Sequence, residues 1–185
     1  MKWKVLSSRY FVKNPWFTVR GDTCELPNGL QIEDFFVVEA PDWCHVIALT
    51  PKNEVVLVKQ YRHALAEVTL ELPGGIVDEQ GKRQVSALTA VKRELLEETG
   101  YGGGSYTHLG SLSPNPARYD NLMHSFLAQG VTLQAEQNLD MGEDIEVVLK
   151  PLDAFTELAA QGEIMNTMHV GTLFLALHHL GRIKR

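Results

Sequence analysis

The chemistry of this chain is concentrated in Glu71-Leu72-Pro73-Gly74-Gly75 and, after a polar stretch, Arg93-Glu94-Leu95-Leu96-Glu97-Glu98-Thr99-Gly100-Tyr101. Leu88, Val91 and Leu95 recur at helical spacing with Val85 and Leu96 beside them, which predicts a helix over Gln84–Glu98 stopped by Gly100. At about 100° per residue, Glu94, Glu97 and Glu98 share one arc next to that stripe, with Ala90 a turn earlier. Like charges three or four residues apart cost a helix about 0.2–0.5 kcal/mol per pair. The last turn is also where the macrodipole disfavours anions. A solvated acidic face is the ordinary reading of such a triple. The neighbouring Pro-Gly-Gly turn and the Arg93-Glu94 pair shift the balance toward a divalent cation, because Mg²⁺ and Mn²⁺ seek carboxylate and carbonyl oxygens.

The rest of the sequence bounds that reading. A chain of 185 residues fits one domain with a small appended element. Its 44% hydrophobic and 22% charged residues suit a globular core rather than disorder. A formal charge of −6 argues against general nucleic-acid binding. Cys24 and Cys44 make no disulfide framework or zinc knuckle and suit a reducing cytosol, as ordinary buried or half-buried residues. No apolar run reaches membrane-spanning length, and the start is too polar for a secretory signal, so a cytoplasmic protein without a membrane is expected.

Along the chain, residues 3–6, 16–20 and 23–26 read as short strands, and Pro27-Asn28-Gly29 as a hairpin turn into an extended run from Leu30 to Glu39. Pro41-Asp42 breaks that run. Residues 1–40 thus form an antiparallel β-region ahead of a main domain over 41–185. Further strands are expected at Trp43–Leu49, Glu54–Lys59, 106–112, 121–128 and 144–149, and helices at Asp153–Ala160 and Ile164–Leu180. Strands mixed with three helices imply an α/β layered domain with helices on both faces of the sheet. Adjacent His178 and His179 point in different directions on the last helix, against a joint metal site.

The segment from Arg93 to Tyr101 resembles the second half of the Nudix box, Arg-Glu-aliphatic-x-Glu-Glu-x-Gly-apolar, at every fixed position. The first half departs from it. Gly75 lies eighteen residues before Arg93 instead of fourteen, and Val85 stands where the family has Glu. Asp78 and Glu79, on the lengthened loop, are candidates to replace that Glu. Gln60-Tyr61-Arg62, Glu71–Gly75, Pro116 fifteen residues after Tyr101, and Gly142-Glu143-Asp144-Ile145-Glu146-Val147 resemble the ADP-ribose pyrophosphatase branch.

The resemblance implies a Nudix-type α/β/α sandwich with a mixed sheet, plus an N-terminal sheet that builds a homodimer. It implies Mg²⁺, with Mn²⁺ as substitute, held by Glu94, Glu97, Glu98 and the Gly74 carbonyl. Glu143 is the candidate general base, with Asp144, Glu146 and Asp140 as substitutes. Arg62 is a phosphate clamp; Arg93 braces the helix beside Glu97; Glu71 supports the turn; and Pro116 lies near substrate. Trp16 and Trp43 either stack on a nucleobase or belong to the core. The implied reaction cleaves a nucleoside diphosphate sugar, ADP-ribose to AMP and ribose 5-phosphate. The alternatives are another nucleoside diphosphate derivative, or a Nudix-fold sensor that binds a nucleotide without turnover.

Overall fold

In the computed structural model, residues 1–14, 17–77, 79–80 and 83–183 are described. They divide into two compact units, Met1–Asp42 with Ser113–Leu122, and Trp43–Leu112 with Met123–Arg185. The division is not contiguous, because a ten-residue excursion joins the N-terminal strands: Val38 bridges Tyr119, and Asn121 Nδ2 donates to the Pro41 carbonyl at 2.7 Å.

The first unit is a three-stranded antiparallel sheet in the order β1 (Lys4–Lys13), β2 (Thr18–Glu25), β3 (Gln31–Glu39). The local sequence predicts a break near Gly21-Asp22, yet β2 runs through both residues. It is the central strand, paired on either side, and the Phe11 ring lies where a side chain at Gly21 would stand, at 2.7 Å. Tertiary pairing therefore overrides a local break signal. Asp22 is buried but satisfied by Ser8 and Arg20.

The second unit is built on a mixed sheet from β4 (Trp43–Leu49), β5 (Glu54–Arg62), β6 (Glu67–Glu71), β7 (Gly74–Ile76) and three later strands. A two-residue pair, β8 (Glu79–Gln80) with β9 (Arg83–Gln84), precedes α1 (Ala87–Thr99), and β10 (Tyr101–Gly102) follows the helix. Next come β11 (Ser105–Leu112), β12 (Met123–Gln129), β13 (Thr132–Leu133), β14 (Glu146–Pro151), α2 (Leu152–Ala160) and α3 (Thr167–His179). The sheet order is β11-β12-β4-β5-β14, with β12 parallel to β4 and the rest antiparallel. Alternation along the strands sorts two cores. Val46, Ala48, Val56, Phe126 and Ala128 meet Ala90, Val91 and Leu95 of α1. Ile47, Leu49, Val55, Leu57 and Leu127 meet Phe155 of α2 and Leu173 and Ala176 of α3. This is the expected layering with helices on both faces.

A fork in this sheet positions the β6–β7 turn. β4 and β5 pair only at Ala48–Val56 and Leu49–Val55, then diverge. Into the fork go β6, paired with β5, and β7, paired with β4. The Pro73 carbonyl between them accepts the Val46 N–H at 3.1 Å. Neither short strand is visible in the sequence, because three to five residues carry no period and owe their form to the partner edges.

Two helix starts shift from expectation. α1 begins at Ala87 because Ser86 is extended and its hydroxyl accepts the Thr89 N–H at 3.2 Å. Asn166 caps α3 in the same way, so Ile164 packs into the core as coil. Leu88, expected in the buried stripe, is 39% exposed, and Ala87 and Ala90 meet the core instead. Ala90 is fully buried in that core. Leu95→Ala is expected to cost about 2–5 kcal/mol in urea unfolding. Leu88→Ala is expected to cost less than about 1 kcal/mol. Equal costs would show that Leu88 is as buried as Leu95.

Candidate active site

Gly74 and Gly75 let the β6–β7 turn lie against both β4 and α1. A Cβ on Gly74 would stand 2.1 Å from the Cys44 carbonyl oxygen, and one on Gly75 would stand 2.6 Å from the Glu94 carboxylate. Backbone cannot yield at Gly74, so no side chain fits there, and a side chain at Gly75 would push the Glu94 carboxylate aside. The Gly74 N–H donates to Glu98 Oε2 at 2.9 Å, which ties the turn to the last turn of the helix. Gly100, at φ 73°, ends that helix with its N–H on the Leu96 carbonyl.

The three glutamates of the helix are placed differently. Glu98 is 4% exposed, Glu94 flanks Gly75, and Glu97 is half-buried. Arg93 stands between two of them, Nη1 donating to Glu97 Oε2 and Nη2 to Glu94 Oε1, both at 2.8 Å. Among the described residues, no three His, Cys, Asp or Glu side chains converge on one point as they stand.

Burial dominates the electrostatics. It pushes the Glu98 carboxyl up to about 8 against the Gly74 hydrogen bond, and the charges of Glu94 and Glu143 add to it. Burial likewise raises Glu94 to about 6, opposed by Arg93 and reinforced by Glu97 and Glu143. The charge of Glu143 reaches Glu94, Glu98 and Arg62, so the loop before β14 belongs to the same neighbourhood. Glu143 Oε2 accepts the Asp140 N–H at 2.9 Å.

Arg62 and Glu71 form a second pair across β5 and β6. Arg62 Nε and Nη2 each donate to one Glu71 oxygen at 2.7 Å, and Thr69 Oγ1 donates to the same carboxylate at 2.5 Å. Burial opposes the Glu71 charge, but these hydrogen bonds outweigh it and hold the carboxyl below its usual range. Two of the three Arg62 nitrogens are thereby engaged, and the residue is held at the strand end with half its side chain exposed.

Two histidines that no sequence motif marks stand behind this pair. His169 on α3 accepts the Leu72 N–H at Nδ1, 3.3 Å away, and its ring meets that of His45 edge-on at 4.4 Å. Burial lowers both imidazoles, His45 to about 4, so they stand neutral beneath the turn. Their signal was present in the periodicity. His45 alternates with Ile47 and Leu49, and His169 heads the row Thr172, Leu173, Ala176.

Of the remaining expected site residues, two are described and three are not. Trp43 is half-buried at the start of β4, paired with Ile76 and Met123. Pro116 is exposed in the Ser113–Leu122 segment of the first unit. Trp16, Asp78 and the Glu79 side chain fall outside the described residues. Val85 packs partly buried against the α1-side core, which explains an apolar residue there. Cys44 and Cys24 are both buried free thiols.

A carboxyl raised from 4.5 to about 8 destabilises the folded state as pH rises between those values, since only the unfolded chain ionises there. The metal-free protein should accordingly lose thermal stability from about pH 5 to about pH 8. Glu98→Gln should match wild type at the lower pH and exceed it at the higher. Parallel melting curves for the two proteins would show that Glu98 ionises freely.

Comparison with known proteins adds a family to this geometry. Residues 41–167 match the NUDIX domain, and residues 3–38 match the nucleoside diphosphate sugar hydrolase N-terminal domain. An ADP-ribose pyrophosphatase of Bacillus subtilis is 31% identical over 76% of this chain and 74% of its own length. A CMP-5'-(N-acetyl-N-hydroxy-3-aminopropyl)phosphonate hydrolase of Streptomyces rubellomurinus is 31% identical over 98% of this chain and 84% of its own. The crystal structure of an ADP compounds hydrolase superposes with a TM-score of 0.83 at 23% identity, covering 99% of this chain and 98% of that one. The fold, the glutamate-bearing helix against a Gly-Gly turn, and the domain matches agree: this chain belongs to the Nudix family and is a Nudix hydrolase.

Proposed function

We propose that this hydrolase cleaves the diphosphate linkage of a nucleoside diphosphate sugar in a Mg²⁺-dependent reaction, with ADP-ribose giving AMP and ribose 5-phosphate as its leading substrate. The observation that carries the reading is the pair Glu98, buried, and Glu94, half-buried, four residues apart on one helix and both against the Gly74-Gly75 turn, where lost hydration pushes their carboxyls up to about 8 and about 6. Solubility gains nothing from such a placement, and a divalent cation relieves it. The donor set is all oxygen, which fits Mg²⁺ or Mn²⁺ rather than a softer metal. Glu94, Glu97, Glu98 and the Gly74 carbonyl are the groups that would hold the ion. When bound there, Mg²⁺ supplies charge neutralisation for the diphosphate and acidifies water.

The protein's own groups divide the remaining work. Glu143 is the carboxylate proposed to take the proton of the attacking water. Arg62, aligned by Glu71, offers its remaining nitrogen to a phosphate oxygen. Arg93 keeps Glu94 and Glu97 in place. Trp16 and Trp43 are the proposed contacts for the base, and Pro116 belongs to the substrate side. The named activities of the relatives, on ADP-ribose and on a cytidine nucleotide derivative, support the nucleoside-linked class more firmly than one base.

The proposed assembly is a homodimer in the cytoplasm. β1 is an edge strand exposed along its whole length, with Val5, Tyr10 and Phe11 uncovered and Trp3 exposed just before it, and such edges are pairing surfaces. Among the described residues no helix is long and apolar enough to cross a membrane.

Incubation with ADP-ribose and Mg²⁺ should release AMP, and chelation should abolish the release. Glu98→Gln should lower kcat by about 10²-fold or more, because it removes an anionic ligand from the reacting centre. Tight nucleotide binding with no cleavage of any nucleoside diphosphate derivative would replace this reading with a sensor.

A further inference from the structure

The loop between β13 and β14 runs along the C-terminal end of α1 and takes up its last carbonyls. The Gln134 and Ala135 N–H groups donate to the Gly100 carbonyl at 2.8 and 3.2 Å, and the Asn138 N–H donates to the Glu97 carbonyl at 2.8 Å. These acceptors have no partner within the helix, so the loop satisfies an accounting that α1 leaves open. The Glu98 carbonyl is different. It is met by a side chain, Gln137 Nε2, at 2.7 Å.

The same nitrogen also donates to the Ile145 carbonyl at 3.1 Å. One primary amide therefore uses both hydrogens, one on the residue that tethers the Gly74 turn and one on the chain just past Glu143. Residues 138–144 form a closed excursion that leaves α1 at Gln137 and returns to it through Gln137. Glu143 sits on that excursion, its backbone N–H on the Asp140 carbonyl and its carboxylate on the Asp140 N–H, both at 2.9 Å. Gln137 is otherwise an exposed loop residue whose amide has no solubility reason to be bonded twice.

We propose that Gln137 is a positioning residue: its side-chain amide fixes the Glu143 loop to the backbone of Glu98 and so sets where the Glu143 carboxylate stands against the reacting centre. This inference rests on the reading of Glu143 as the base. Releasing the amide lets the excursion swing on its two ends, and a displacement of about 1 Å at a reacting group can cost about 10²-fold in rate.

Gln137→Leu and Gln137→Met keep the bulk and remove both donors. Each should lower kcat for ADP-ribose by about 10- to 100-fold with KM changed less than about threefold. In a Glu143→Gln background the same substitutions should lower kcat less than about threefold further, because the group they position is already gone. In the metal-free protein, amide hydrogen exchange over residues 138–143 should accelerate in either variant while the α1 core is unchanged. A full kcat loss repeated in the Glu143→Gln background, or an unchanged exchange rate, overturns the role of Gln137. A Glu143→Gln protein with undiminished kcat overturns instead the reading of Glu143, and the two failures are read from different arms.

Discussion

The site depends on backbone standing where side chains cannot. Gly74 is too close to the Cys44 carbonyl to carry a Cβ, and a Cβ on Gly75 would displace the Glu94 carboxylate that lies against it. Because both are bare, the turn enters the fork of β4 and β5 from one side and touches α1 on the other. The Gly74 N–H then reaches Glu98, and the buried end of α1 acquires a fixed distance from the sheet. Remove that approach and the helix still packs through Val91 and Leu95, but its carboxylates face no defined surface.

Around this contact the protein keeps two kinds of buried charge. Glu71 is compensated within the fold: Arg62 and Thr69 satisfy its oxygens and keep it ionised. Glu98 and Glu94 are undercompensated, with one backbone N–H and one arginine nitrogen set against mutual repulsion and lost hydration. The first arrangement is a scaffold that aims Arg62. The second is a reservoir of unfavourable electrostatics of the kind that accumulates at functional sites. The neutral pair His45–His169 supports the scaffold from the opposite face of the sheet, through the Leu72 N–H.

The Glu143 loop is attached to the same helix end from outside. Its backbone and the Gln137 amide take the carbonyls of Glu97, Glu98 and Gly100. A helix terminus with open acceptors is a natural anchor for a segment without a hydrophobic face of its own. Of the side chains from Gln134 to Glu143, only Leu139 and Met141 are large and apolar, and Met141 is fully exposed. Hydrogen bonds to α1 rather than burial hold this stretch.

By itself the sequence determined the layered α/β class, the helix with its acidic arc, and the Pro-Gly-Gly turn, because periodicity and glycine are local signals that survive without coordinates. It also singled out Arg62, Glu71 and Glu143 as chemically interesting. It did not supply the fork between β4 and β5, the continuity of β2 through Gly21, or the burial of Ala90 in place of Leu88. Those follow from which strand edges and which core face were available, and that is settled only when distant segments meet. The partners of each charge were decided the same way. Arg62 meets Glu71 across a strand pair, His169 meets Leu72 from 97 residues away, and Gln137 meets both Glu98 and Ile145. Hydrogen bonds and ion pairs act over about 3 Å, so residues far apart in the chain acquire these roles only through the fold that brings them together.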